Sequence, residues 1–163
     1  MSIENYQQEL IQLQQTLWDY AGTGFREVRS CAVMTDFLRR HGFEVTVGLC
    51  GMDTAFVGVW GSGKPVICLL AEYDALYGMS QEADVPHYQP IPDQDTGHGC
   101  GHHLLAAGSI GAALLVKDVL QAQGLPGTIK IVGCPAEESG SGKAYLARDG
   151  FFHDADMAIT WHP

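Results

Sequence analysis

The run Val66-Ile67-Cys68-Leu69-Leu70-Ala71 offers no polar side chain to water and then ends abruptly in Glu72-Tyr73-Asp74. A strand that is apolar at every position, rather than at every second one, must be covered on both faces, as an interior strand of a helix-flanked sheet is. Two further runs end in the same way: residues 128–134, a buried-type strand, lead into Pro135-Ala136-Glu137-Glu138, and residues 157–161, a final strand, lead into His162. Strands that each finish in groups able to bind or transfer protons define a sheet with chemistry at its carboxyl ends.

Helical spacing fills the intervals. Ile3, Tyr6, Leu10, Leu13 and Leu17 fall three and four apart and line one helix face. A second helix is expected over residues 27–40, with Val28, Ala32 and Leu38 inward and Gly42 capping its end. Residues 43–47 and 54–60 read as strands, with the run at 66–71 central in the sheet. Residues 77–96 form a long loop, residues 104–123 a helix closed by Gly124-Leu125-Pro126-Gly127, and residues 142–148 a short helix. The small side chains at 106–113 require something to pack closely on that helix. Strands alternating with helices give the fold class α/β, with a mixed, largely parallel sheet flanked by helices.

Composition narrows the function. A chain of 163 residues that is 46% hydrophobic can bury one core, and a net charge of −10 with nine Lys and Arg excludes a nucleic-acid surface. The five cysteines are odd in number and lack the spacing of a disulfide scaffold, and residues 1–17 have neither a basic nor an apolar signal region. No stretch is expected to reach the length of a membrane span. The expectation is a cytoplasmic protein with no membrane and no nucleic-acid partner. Cys31, Cys50, Cys68 and Cys134 are assigned to the core with Trp18, Trp60 and Trp161, while His41, His87 and His153 are assigned to the surface.

The residues left over are ligand types. Cys100 and His102, in Gly97-His98-Gly99-Cys100-Gly101-His102-His103, could turn toward one ion; read alone, they could equally be a buried small hydrophobe and a helix-entry histidine. Adjacent Glu137 and Glu138 repel unless solvated or bound to a cation, and they follow a strand too apolar for a surface edge. One carboxylate on an ion with the other facing water gives a general base beside a Lewis acid, which suits amide hydrolysis. A cysteine hydrolase built on Cys100 and a histidine is the competing enzyme, and it leaves Glu137, Glu138 and His162 without a role.

The strings AEYDAL (71–76), GHGCGHH (97–103), CPAEESGSGKAYL (134–146) and DMAITWHP (156–163) resemble, in order, the motifs of the M20 family of metallo-amidohydrolases. The likeness is to the branch of that family that includes aminobenzoyl-glutamate hydrolases and their aminoacylase-like relatives. It implies a zinc-exopeptidase-like catalytic domain holding one or two divalent ions, zinc or manganese, and a small-molecule amide substrate. By that resemblance Cys100, His102, Glu138 and His162 are metal ligands, Glu137 is the general base, and Asp74 is a carboxylate steadying the metal histidines. His98 supports rather than ligates. Glu72 stands where the wider superfamily has a His, as in the Cys-type branch. His103 replaces the usual Asp or Asn, and Ala21-Gly22-Thr23 replaces an Asn-Pro-Glu or His-Pro-Glu string. The pattern continues past the WHP motif into a lid or dimerisation domain and a returning catalytic segment. Residues 1–163 therefore match the amino-terminal part of an incomplete catalytic domain, for which association as a homo-oligomer or with a carboxyl-terminal partner polypeptide is expected. A truncated, non-catalytic metal-binding or association module is the alternative.

Overall fold

The computed structural model describes residues 2–163. A 3-10 turn, Ile3–Asn5, precedes α1 (Gln7–Tyr20) and α2 (Val28–Arg40). The strands β1 (Glu44–Val47), β2 (Phe56–Ser62) and β3 (Val66–Glu72) follow, then a two-residue pair β4 (Leu76–Tyr77) and β5 (Thr96–Gly97) at the two ends of the long loop. The chain continues through α3 (His102–Gln123), β6 (Gly127–Cys134), α4 (Glu137–Gly140), α5 (Gly142–Arg148) and β7 (Met157–Ile159).

The main sheet has the order β1-β2-β6-β3-β7. It is mixed: β1 and β2, and β2 and β6, run antiparallel, whereas β6, β3 and β7 run parallel. The run at 66–71 is interior, as its unbroken apolarity requires, although β6 holds the middle place. Side chains alternate across the sheet with the period of two that strands impose. Leu69, Ala71, Ile129, Ile131 and Phe56 meet Leu13, Leu17, Met34, Leu38 and Ile110 of the three long helices on one face. On the other, Cys68, Val132, Cys134 and Val57 meet Leu146 of α5 and the flanking Phe151 and Phe152.

The helix with small side chains lies where a close neighbour is required. Ser109 donates a hydrogen bond to the Leu70 carbonyl at 2.8 Å, and a Cβ at Gly108 would come 2.6 Å from the Trp161 ring. By length and composition alone α3 is long and apolar enough to cross a membrane, contrary to the expectation that no stretch would be. Half of that apolar window is buried in this fold.

Other placements differ from the sequence reading for geometric reasons. The buried face of α2 is Cys31, Met34, Phe37 and Leu38, so Ala32, one residue round the helix, is exposed. Val28 lies in the first turn beside an open groove with Val47 and Thr54. Cys50 is half-buried rather than core. Trp18 and Trp60 are likewise half-buried, and Trp161, two residues past the edge strand β7 whose three residues are all exposed, is 42% exposed.

The two environments give a direct comparison. Ile131→Ala, at a fully buried site facing the helices, is expected to cost about 2–5 kcal/mol in urea unfolding, whereas Ile159→Ala on the exposed edge is expected to cost about 0.5 kcal/mol or less. Equal shifts in the urea midpoint would contradict this assignment of the core.

Candidate metal centre

Strand register brings the polar ends together. Glu72 is the partner of Cys134 across β3 and β6, so the chain leaves both strands at one level, where Asp74 and Glu137-Glu138 follow. Ile159 pairs with Leu69, which puts His162, three residues on, level with Glu72. The fourth segment enters from α3. Gly101, at φ +75°, turns the chain into the helix at His102, and a Cβ there would strike Pro163 at 2.6 Å.

His102 lies at the centre and is fully buried. Its Nδ1 is 2.9 Å from Asp74 Oδ1, and Asp74 Oδ2 accepts the Glu138 amide at 3.0 Å, so one carboxylate fixes both the imidazole and the glutamate turn. On the other side of the ring, Nε2 is 3.1 Å from Glu72 Oε2 and 4.0 Å from both Glu137 Oε2 and Glu138 Oε1. Despite the short distance to Glu72, Nε2 makes no hydrogen bond of acceptable geometry and is a buried polar atom without a partner. Cys100 Sγ is 3.3 Å from His162 Nε2, and the His162 ring meets the His102 ring edge-on with centroids 5.5 Å apart.

Two sets of potential ligand atoms lie within 4.8 Å of one another: those of Cys100, His102 and His162, and those of Glu72, His102 and Glu137. Of the residues singled out in the sequence, the structure thus gathers Cys100, His102, His162, Glu137 and Asp74. Glu138 is in neither set, its Oε1 lying 4.0 Å from His102 Nε2. His98 is not among them; its Nε2 bonds the Leu17 carbonyl at 3.0 Å in the interior.

In the sequence Glu72 is part of a polar strand end and a departure from a family pattern but has no role assigned, yet it is 4% exposed and paired with both His102 and Lys143. A signal for it is present: it lies two residues before Asp74, and strand periodicity puts both on one side. Lys143, on α5, has no sequence signal. Glu27, in sequence no more than a helix start, is a fully buried carboxylate.

Electrostatics follow from this crowding. Burial alone would lower the His102 pKa, but the Asp74 and Glu72 carboxylates override it and raise it to about 10. Burial would raise Glu72, and the close approach of His102 and the ion pair with Lys143 instead hold it at about 2. Burial, then the neighbouring Glu138 carboxylate and the charges of Glu137 and Glu72, push the Cys100 thiol up to about 12. A thiol so disfavoured as thiolate is a poor nucleophile, which weighs against a cysteine hydrolase despite the adjacent His162. His98 and His103 are lowered to about 4, chiefly by burial, and are neutral near pH 7.

Four carboxylates around an imidazole with an unpartnered nitrogen, beside a thiol and a second imidazole, form a donor set suited to a divalent cation. The fold and this site define a metallohydrolase-like α/β domain. The chain belongs to peptidase family M20/M25/M40, whose model matches residues 68–163. It is 42% identical to one of the subunits of p-aminobenzoyl-glutamate hydrolase from Escherichia coli K12 over 162 residues, 99% of this chain and 34% of that protein. It is 27% identical to N-acetyl-L-cysteine deacetylase of Bacillus subtilis, over 99% of this chain and 38% of that protein. The chain therefore spans about a third of the length of these relatives. Its fold is that of a dinuclear metal-binding M20 peptidase from Bacillus subtilis, at a TM-score of 0.81 and 23% identity over 98% of this chain and 43% of that one.

The raised His102 pKa has a defined consequence for the metal-free chain. Because the folded value, about 10, exceeds the ordinary histidine value of 6.5, the stabilisation is complete below pH 6.5 and is lost as pH rises toward 10. His98 and His103, lowered to about 4 in the fold, oppose this near pH 6.5, where their unfolded forms still titrate; from about 7.5 to 9 the loss belongs to His102, and above 9 the raised Cys31, Cys100 and Cys134 thiols add to it. The urea midpoint is expected to fall steadily from about pH 7.5 to 9, and His102→Gln is expected to flatten that fall. A flat wild-type profile would contradict the assignment.

Proposed function

We propose that the chain carries the metal centre of an amidohydrolase that cleaves the amide bond of an N-acyl amino acid, aminobenzoyl-glutamate or a dipeptide-like substrate. The observation that carries this reading is the meeting of Cys100, His102 and His162 from three segments, with Glu137 Oε2 4.0 Å from the His102 Nε2. Its relatives support the substrate class, being named as an aminobenzoyl-glutamate hydrolase, an N-acetylcysteine deacetylase and, at 27% identity in Mus musculus, an Xaa-Arg dipeptidase.

Cys100, His102, Glu138 and His162 would hold zinc or manganese, as one ion or two, and the thiol ligand favours zinc. A bound ion would supply Lewis-acid polarisation of the amide carbonyl and a lower pKa for water. Glu137, 37% exposed at its side chain, is reachable by water and takes its proton, then returns it to the leaving nitrogen. Asp74 accepts the Nδ1 proton of His102 and so turns Nε2 toward the centre. The five free cysteines suit a reducing, cytoplasmic setting.

A second reading is favoured by the outward-facing β7 edge, with Met157 53% and Ile159 42% exposed. In it the chain is one half of a split enzyme, or a metal-binding association module, completed by a carboxyl-terminal polypeptide or a second copy. Hydrolysis that appears only on adding that polypeptide selects the split enzyme, and hydrolysis by the chain alone removes the non-catalytic form.

Two outcomes test the first reading. Metal uptake near pH 7 must displace the protons on Cys100 and His102, so calorimetry in buffers of different ionisation enthalpy is expected to show about two protons released per ion. Uptake without proton release would contradict the ligand set. Glu137→Gln is expected to keep the metal and lower p-aminobenzoyl-glutamate hydrolysis by about 10²–10⁴-fold in whichever form is active. An unaffected rate would end the assignment of Glu137 as base.

A further inference from the structure

The segment joining α1 to α2, residues 21–27, touches both carboxylate-bearing turns. The Ala75 amide, one residue after Asp74, donates to the Gly22 carbonyl at 2.8 Å, and Thr23 bridges Ala75 in parallel. At its other end, Glu27 Oε1 accepts the amide of Ala136 at 2.8 Å, one residue before Glu137. Its second oxygen accepts the Thr54 hydroxyl at 2.9 Å. Between them, Gly24 rests on Ala136 and Ser139, and the Phe25 ring covers Gly140.

Ala136 needs this support. It is a non-glycine residue at φ +54°, a left-handed conformation that an L side chain holds only when its surroundings impose it. Ala136 is fully buried, so loss of the Glu27 acceptor would leave its amide without a partner. Glu27 has no exposed surface, and it touches none of Cys100, His102 or His162, so it is not a ligand. Burying a carboxylate costs free energy that the fold would avoid unless the group it satisfies matters.

We infer that Glu27 is a positioning residue whose buried carboxylate, bonded to the Ala136 amide, fixes the turn that presents Glu137 and Glu138 to His102. Residues 21–27 act as a clamp that sets the Asp74 turn and the glutamate turn at one spacing. The consequence for metal affinity rests on the metal-site reading above; the hydrogen bond and its effect on the turn do not.

The test uses the full metal-free chain and follows amide hydrogen exchange residue by residue by NMR. Glu27→Leu keeps apolar bulk without an acceptor. Glu27→Gln keeps an acceptor for Ala136, and its amide can donate to the Thr54 hydroxyl. Glu27→Leu is expected to speed exchange at Ala136 about 10- to 100-fold and to shift the resonances of residues 136–140 while leaving those of 100–104 in place. Glu27→Gln is expected to restore most of the protection. On zinc titration Glu27→Leu is expected to lose about 10- to 100-fold in affinity, and the cobalt-loaded variant is expected to keep its sulfur-to-metal charge-transfer band, since Cys100 lies on another segment.

Wild-type protection of Ala136 in folded Glu27→Leu, or a loss in Glu27→Gln as large as in Glu27→Leu, overturns the inference. A wild-type chain that takes up no zinc counts against the metal reading, and the exchange data still decide on Glu27. Should Glu27→Leu fail to fold, Gly24→Ala tests the same clamp. Its Cβ would sit 2.0 Å from Ser139 Oγ and 3.0 Å from the Ala136 Cβ, and it is expected to shift the same resonances. Unchanged resonances there overturn the inference as well.

Discussion

Crowding of negative charge around one buried imidazole is the constraint on which this structure turns. Glu72, Asp74, Glu137 and Glu138 come from two strand ends and converge on His102, with Lys143 as the other nearby cation. Like charges at such separations oppose one another, and burial strengthens the opposition. The metal-free chain offsets it by holding His102 protonated to about pH 10, a state that a metal ligand cannot keep. The same interactions that stabilise the empty centre therefore compete with its filling, and the competition is set by proton concentration.

That convergence rests on the parallel half of the sheet. With β6, β3 and β7 running the same way, their carboxyl ends leave at one edge, and the register levels Glu72, the turn after Cys134 and His162. The antiparallel β1 and β2 extend the sheet and its core without contributing a ligand. Helix α3 does two tasks at once. Its small side chains let α1 and Trp161 pack closely, and its first residue is the imidazole at the centre of the site. These links make the centre a property of the packed domain rather than of any one loop.

Much of this was legible in the sequence because burial on both faces leaves a plain signature. The runs at 66–71 and 128–134 could be interior strands and little else, and polar groups at their ends identify the functional edge. Glu137 and His162 stood out as ligand types at such ends, and Cys100 and His102 in the glycine-rich loop before α3. The sequence was silent where position depends on tertiary contact. Val28 and Ala32 look as apolar as their buried neighbours, yet the helix face is decided by where α2 meets the sheet. Trp161 looks like core, and an edge strand leaves it half in water. Glu27 looks like a helix start on charge alone, and only the fold reveals that it reaches an amide 109 residues away.

The central claim is that Cys100, His102 and His162 bind one ion together, and X-ray absorption at the zinc edge of the zinc-loaded chain tests it most directly. A single sulfur neighbour is expected at about 2.3 Å, with nitrogen and oxygen neighbours at about 2.0–2.2 Å, the sulfur vanishing in Cys100→Ser. A zinc shell without sulfur, or one whose sulfur survives that substitution, would contradict it.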